Sequence, residues 1–125
     1  MSRLKYTVNG YIGLLGNDLT EPPKESGYKR VPSGDVNLLE NTDFLKGRQF
    51  IFPEVTSPGY GRIFCAALYD AEKDGNILYI WPLPQSVDVH EGVIPGLING
   101  QLLRGIDVSS EVIVKLAESI SAANL

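Results

Sequence analysis

The stretch from Arg62 to Trp81 constrains the fold most. Apolar residues fill Ile63 to Tyr69 and again Ile77 to Trp81, and every charge between them falls on Asp70, Glu72, Lys73 and Asp74. Gly75 closes this charged connection and can take a positive φ without steric cost. Two apolar runs joined by a polar, glycine-ended turn predict a central β-hairpin. Nothing in it is reactive, so function is sought in surfaces and partners before chemistry.

The rest of the chain reads as short strands between Gly, Pro and Asn turns. Lys5 to Val8, then Asn9-Gly10, then Tyr11 to Leu15 predict an opening hairpin, with Asn9-Gly10 as its tight turn. Gly16 to Gly27 has the composition of a surface loop. Pro22 and Pro23 stiffen it and remove ladder donors, which marks the two prolines, with Tyr28 just beyond, as candidate partner-binding residues. Tyr28 to Val31 predicts a short strand ended by Pro32 to Asp35, and residues 36–47 fit a short helix or irregular backbone equally well. Gln49 to Phe52 predicts a strand stopped by Pro53. Ser57 to Gly61 predicts a turn in which Tyr60, between two glycines, is exposed and available to a partner. Pro82 and Pro84 are expected to end the central hairpin. Ser86 to His90 alternates as a separate strand, and Glu91-Gly92 turns the chain into Val93-Ile94. Asn99-Gly100 is a type I′ signal leading into Gln101 to Ile106.

About eight short, two-faced strands need a second sheet to cover their apolar side, so the fold class is all-β: an antiparallel β-sandwich, jelly-roll-like, over residues 1–108. Residues 109–125 predict a short C-terminal α-helix. Ser109 can cap it, with Val112, Ile113, Leu116, Ile120 and Ala123 on one side and Lys115, Glu118 and Ser121 on the other. Val114 alone breaks the pattern. Such a helix docks on its own sandwich or meets a copy of itself in an oligomer.

Composition narrows the function classes. A chain of 125 residues, 43% hydrophobic and 21% charged, suits one globular domain. No apolar run approaches the ~20 residues that span a bilayer, and the opening Met-Ser-Arg-Leu-Lys-Tyr lacks the apolar core of a secretory signal. A soluble protein made in a cytoplasm is expected. The net charge of −4 comes from the second half: residues 1–55 carry seven basic and seven acidic side chains, residues 56–125 four and eight. Nucleic-acid binding needs a basic cluster, and the densest here is Lys29-Arg30. The lone Cys65 has no partner for an internal disulfide and is expected to act as a small buried hydrophobe.

Candidate chemistry is thin. The turn Asp70-Ala-Glu-Lys-Asp74-Gly75 has the start of a calcium loop, but the twelfth place, which needs a bidentate Glu, is Trp81. His90 and Glu91 are sequence neighbours whose side chains diverge on a strand, and Cys65 with His90 would need a tertiary coincidence. No nucleophile elbow, phosphate-cradling loop or paired-cysteine signature occurs, so neither an enzyme nor a cofactor is expected. Six tyrosines and Trp81 could build a sugar-stacking surface, though Tyr69 and Tyr79 default to the core.

The chain resembles a family of small tailed-bacteriophage virion proteins usually labelled tail fibre proteins. The likeness runs in order through Tyr11-Ile-Gly-Leu14, Ser26-Gly-Tyr-Lys-Arg30, Phe52-Pro53, and the segment Gly61 to Tyr79 with Ala67-Leu-Tyr-Asp70 and Gly75-Asn-Ile-Leu78. It ends with Pro82-Leu83, Val89-His-Glu-Gly92 and Asn99 to Val108. The helix after Ser109 and the stretch from Asn37 to Gly47 depart from the pattern. The resemblance implies a structural role in a virion, as a homo-oligomer contacting other capsid or tail proteins, with no catalytic residues. Alternatives are a capsid decoration or cement protein that clamps shell subunits, and a carbohydrate-binding module that attaches to a host-surface glycan.

Overall fold

A computed structural model describes residues 7–39 and 44–104. They form seven strands: β1 (Thr7–Gly16), β2 (Val31–Asn37), β3 (Gln49–Ile51), β4 (Gly61–Tyr69), β5 (Ile77–Val89), β6 (Gly96–Ile98) and β7 (Gln101–Leu103). These build two antiparallel sheets, one ordered β2-β1-β4-β5 and one ordered β3-β6-β7. The all-β, sandwich-like architecture matches the expectation. The predicted C-terminal helix and the first residues of the predicted opening hairpin lie outside the described residues.

Alternation along the strands fills the space between the sheets. Ile12 and Leu14 of β1, Ala66 and Leu68 of β4, and Trp81 and Leu83 of β5 pack in one core with Phe50, Leu97 and Leu102 of the smaller sheet. Each large apolar side chain among them contributes about 1.5–3 kcal/mol by leaving water. Phe44 and Leu45, unassigned from sequence, plug this core: the Phe44 ring stacks on Trp81 at 5.7 Å, and the Arg48 guanidinium lies over the same ring, 4.2 Å from its centroid. The segment after β3 runs beside the end of β5 as irregular backbone, through Val55 N–H to Val93 O at 2.8 Å and Tyr60 N–H to Val89 O at 3.0 Å. Val93-Ile94 is thus laddered loop rather than strand.

The central hairpin is β4–β5, with its tip at the charged turn, and Asn99-Gly100 joins β6 to β7 with both residues at positive φ (52° and 82°). Three expectations are corrected. Asn9-Gly10 makes no turn: β1 runs straight through it, and Gly10 lies so close to the Tyr69 carbonyl on β4 that a Cβ would collide. Glycine is needed there for proximity, not for bending. Pro32 to Asp35 is not a loop but part of β2, where a bulge pairs Gly10 with Gly34 and Tyr11 with Pro32. The extra residue, Ser33, restores the lost ladder bonds with its own hydroxyl, which accepts the Gly10 N–H at 3.0 Å and donates to Gly34 O at 2.6 Å. Pro82 and Pro84 do not end the hairpin. β5 continues to Val89, absorbing the segment read as a separate strand, because it lies at the sheet edge, where proline's missing donor is tolerated. A bulge there sets Leu83 to Ser86 opposite Phe64 alone, since Ile63 pairs with Val87 and Cys65 with Pro82.

Candidate interaction surface

The loop between β1 and β2 is fastened by one side-chain cluster. Arg30, whose side chain is 7% exposed, sends Nε to Glu21 Oε2 at 2.9 Å and Nη2 to Glu21 Oε1 at 2.7 Å. Its Nη1 donates to the carbonyls of Ala71 at 2.8 Å and Asp74 at 2.7 Å, in the β4–β5 turn. The guanidinium lies over the Tyr69 ring, 3.4 Å from its centroid. Only a planar fork satisfies a carboxylate, two carbonyls and an aromatic face together. Tyr28 completes the cluster: its hydroxyl donates to Glu21 Oε2 at 2.5 Å and accepts the Leu14 N–H at 3.0 Å. Its ring stacks on Phe52 at 6.4 Å and meets Tyr60 edge-on at 5.5 Å. Gly13 lies beneath, since a Cβ there would stand 2.6 Å from the Tyr28 hydroxyl and 2.7 Å from the Tyr69 ring.

The charges fit this geometry. Burial by itself raises the Glu21 carboxyl, but hydrogen bonds from Arg30 and Tyr28 and the Arg30 charge together outweigh it and hold the carboxyl below its ordinary value. The Tyr28 phenol is driven far up, first by burial and then by its bond to the Glu21 carboxylate. Burial pushes Tyr69 up to about 12, with the Glu21 charge adding to it.

Directly after β1 the loop makes a tight turn at Asn17 to Thr20. Gly16 N–H reaches Thr20 O at 2.7 Å, and Thr20 Oγ1 donates to Asn17 O at 3.0 Å. Asp18 and Leu19 both take left-handed backbone, with φ of 62° and 58°. That costs a non-glycine residue about 1–2 kcal/mol, less for Asp, whose short polar side chain visits the region more readily. Leu19 is nevertheless 54% exposed, so little apolar burial offsets the strain. Further along the loop, Ser26 is fully buried, and Thr56 binds it through N–H to Ser26 O at 2.8 Å and Oγ1 to Glu25 O at 2.7 Å. The loop is thus hydrogen-bonded to the segment before β4 as well as to the β4–β5 turn.

Two sequence-predicted contact residues are corrected. Tyr60 is not displayed: it is 4% exposed, and its hydroxyl donates to Pro53 O at 2.8 Å. Gly59 and Gly61, at φ 96° and 83°, turn the chain so that the ring between them points inward. Pro22 is buried too, leaving Pro23 as the exposed member of the pair. Tyr28 is half-buried and supports the loop from behind. The left-handed backbone at Asp18 and Leu19 has a sequence signal in Asn17-Asp18, residue types that tolerate that conformation. A second apolar area lies on the outward face of the larger sheet, where Tyr11, Cys65 and Ile80 are half-buried around Leu15 and Ala67, with Leu78 exposed beside them on β5.

The reactive candidates do not converge. Asp70 spends its carboxylate on Asn76, accepting from the backbone N–H at 2.8 Å and from Nδ2 at 3.0 Å, as a turn brace does. Among the described residues no group of three or more His, Cys, Asp or Glu is placed to hold a metal ion. Cys65 pairs with Pro82, whereas His90 follows Val89, which pairs with Gly61. Four residues of strand separate the two positions by about 13 Å, beyond proton-transfer reach. Burial also pushes the Cys65 thiol up, away from an activated thiolate. Comparison with protein-family models, curated proteins and solved structures finds no match for the chain.

Proposed function

We propose that the chain is a structural protein of a bacteriophage particle, fixed to tail or capsid by protein–protein contacts. One observation carries this reading. Residues from separate segments of the phage resemblance, namely Leu14, Tyr28, Arg30, Phe52 and Tyr69, meet in the cluster that holds the β1–β2 loop. They build a preorganised presenting loop, whose ordering cost is met during folding rather than on binding. Many copies on a symmetric particle then turn a modest contact into firm attachment through effective concentration.

Imaging of intact particles with a label on the C-terminus tests the proposal. Label at fixed positions on head or tail is expected, and its absence from purified particles would refute the reading.

A further inference from the structure

We infer that the segment from Ser109 onward packs as a helix on the outward face of the smaller sheet, so that β3-β6-β7 becomes the middle of three layers. Register defines that face. Phe50, Leu97 and Leu102 lie opposite one another and point into the core, so the two rows beside them, Gln49-Ile98-Gln101 and Ile51-Gly96-Leu103, point away from it. An outward residue between two exposed glutamines is expected to meet water. Ile98 is instead 4% exposed, Gly96 is buried with it, and Ile51 and Leu103 are half-buried on the flanking strands. The middle of this face is apolar and covered. Gly96 between Ile51 and Leu103 makes a shallow groove, since a missing side chain between two larger ones lets another element come close. The turn before β3 borders the Ile98 end, through Gly47 N–H to Asn99 Oδ1 at 2.9 Å, while Gly96 lies opposite Leu103 at the end from which the chain departs.

The chain itself supplies the occupant. It leaves the sheet at Leu103, on this same face, and residues 109–125 follow a short connection. Five residues, 104–108, reach up to about 18 Å, which suffices to turn back over strands about 4.8 Å apart. Val112, Ile113, Leu116, Ile120 and Ala123 then fall on one side of a helix about 25 Å long, an aliphatic stripe that needs an apolar bed. The outward face of the larger sheet is a poorer bed, because Arg30 and the β1–β2 loop already occupy its Tyr69 end. A sheet of three-residue strands also gains most from a cover, having little apolar area of its own. The inference concerns how the fold is closed and stands apart from the virion reading.

The test uses the full chain with Cys65→Ala, which removes its one cysteine, and Leu103→Cys as a reporter on the outward face. Maleimide labelling of the folded protein is timed, alone and with Leu116→Ala, Leu116→Asp or Ser121→Asp added. Burial of one leucine side chain corresponds to about a ten- to hundred-fold protection, so Leu116→Asp should speed labelling by that factor and Leu116→Ala by part of it. Ser121→Asp, on the polar side of the helix, should leave the rate unchanged. Melting curves establish the fold of each variant, and if Leu116→Asp is unfolded, Leu116→Ala decides. A reporter that labels as fast as free cysteine, or that is indifferent to the Leu116 changes, overturns the inference. Labelling that slows as protein concentration rises also overturns it, since the cover then belongs to a second copy.

Discussion

Arg30 lies over Tyr69, 3.4 Å from the ring centroid, while its nitrogens reach Glu21 on one side and the β4–β5 turn on the other. The two residues come from different parts of the chain, an exposed-looking Lys-Arg pair and the end of an apolar strand. Their stacking closes the β1–β2 loop over the larger sheet.

Replacing Arg30 by Lys keeps the charge and loses the fork. An ammonium cannot serve Glu21 twice, reach two carbonyls and cover the ring, so several charge-assisted bonds go at once. A loss of about 2 kcal/mol is expected, the scale of hydrogen bonds to charged groups. It should show as a lower denaturant midpoint with an unchanged slope. Unfolding at the same midpoint as the unaltered chain would mean that the cluster does not hold the loop.

Glu21 gives stability an acid limb. Its folded-state carboxyl lies below the ordinary value of 4.5, so the unfolded chain takes up a proton first as pH falls. The contribution is fully present above that value and is lost as pH drops through the lowered folded one. Glu21→Gln should flatten this limb of a pH–stability curve; an unchanged slope would place the acid sensitivity elsewhere.

Tyrosines give it an alkaline limb of the opposite sense. Burial raises Tyr60 and Tyr69 to about 12, and Tyr28 higher still, so these phenols stay neutral in the fold while unfolded tyrosine ionises near ~10. Stability is complete below that unfolded value and declines as pH rises past it. Phenolate absorbance should therefore appear in part only on unfolding, with a stopped-flow lag after a jump to high pH. Ionisation of every tyrosine within the mixing time would contradict the burial.

The sequence disclosed the elements where local chemistry and tertiary need coincide. The β4–β5 hairpin was legible because its charges are confined to the tip, and Asn99-Gly100 because both residues take the positive φ that their turn requires. Asn9-Gly10 is the same dipeptide with the opposite outcome. Its glycine answers to the Tyr69 carbonyl on the neighbouring strand, a constraint that no local pattern carries. Pro82 and Pro84 misled for a related reason, since proline stops a central strand but not an edge one, and edge position is a property of the assembled sheet. In the β1–β2 loop the paired prolines mark stiffness but not exposure: Pro22 is buried and Pro23 exposed, and which of the two faces water is a property of the packed loop that composition does not carry.

Two glycines separate space from backbone strain. Gly34 has φ of 72° with nothing within 4 Å of the place a Cβ would take, so Gly34→Ala meets only the left-handed penalty of about 1–2 kcal/mol. Gly13 needs no positive φ, yet a Cβ would press on the Tyr28 hydroxyl and the Tyr69 ring, both held by Arg30 and Glu21 and unable to swing aside singly. Gly13→Ala should therefore cost more than Gly34→Ala, about 3 kcal/mol or beyond, because it overpacks a locked cluster and parts the Tyr28 hydroxyl from the Leu14 N–H. Paired melting curves decide the matter. If Gly34→Ala proves the more damaging, backbone strain rather than the cluster's close packing dominates this face of the sheet.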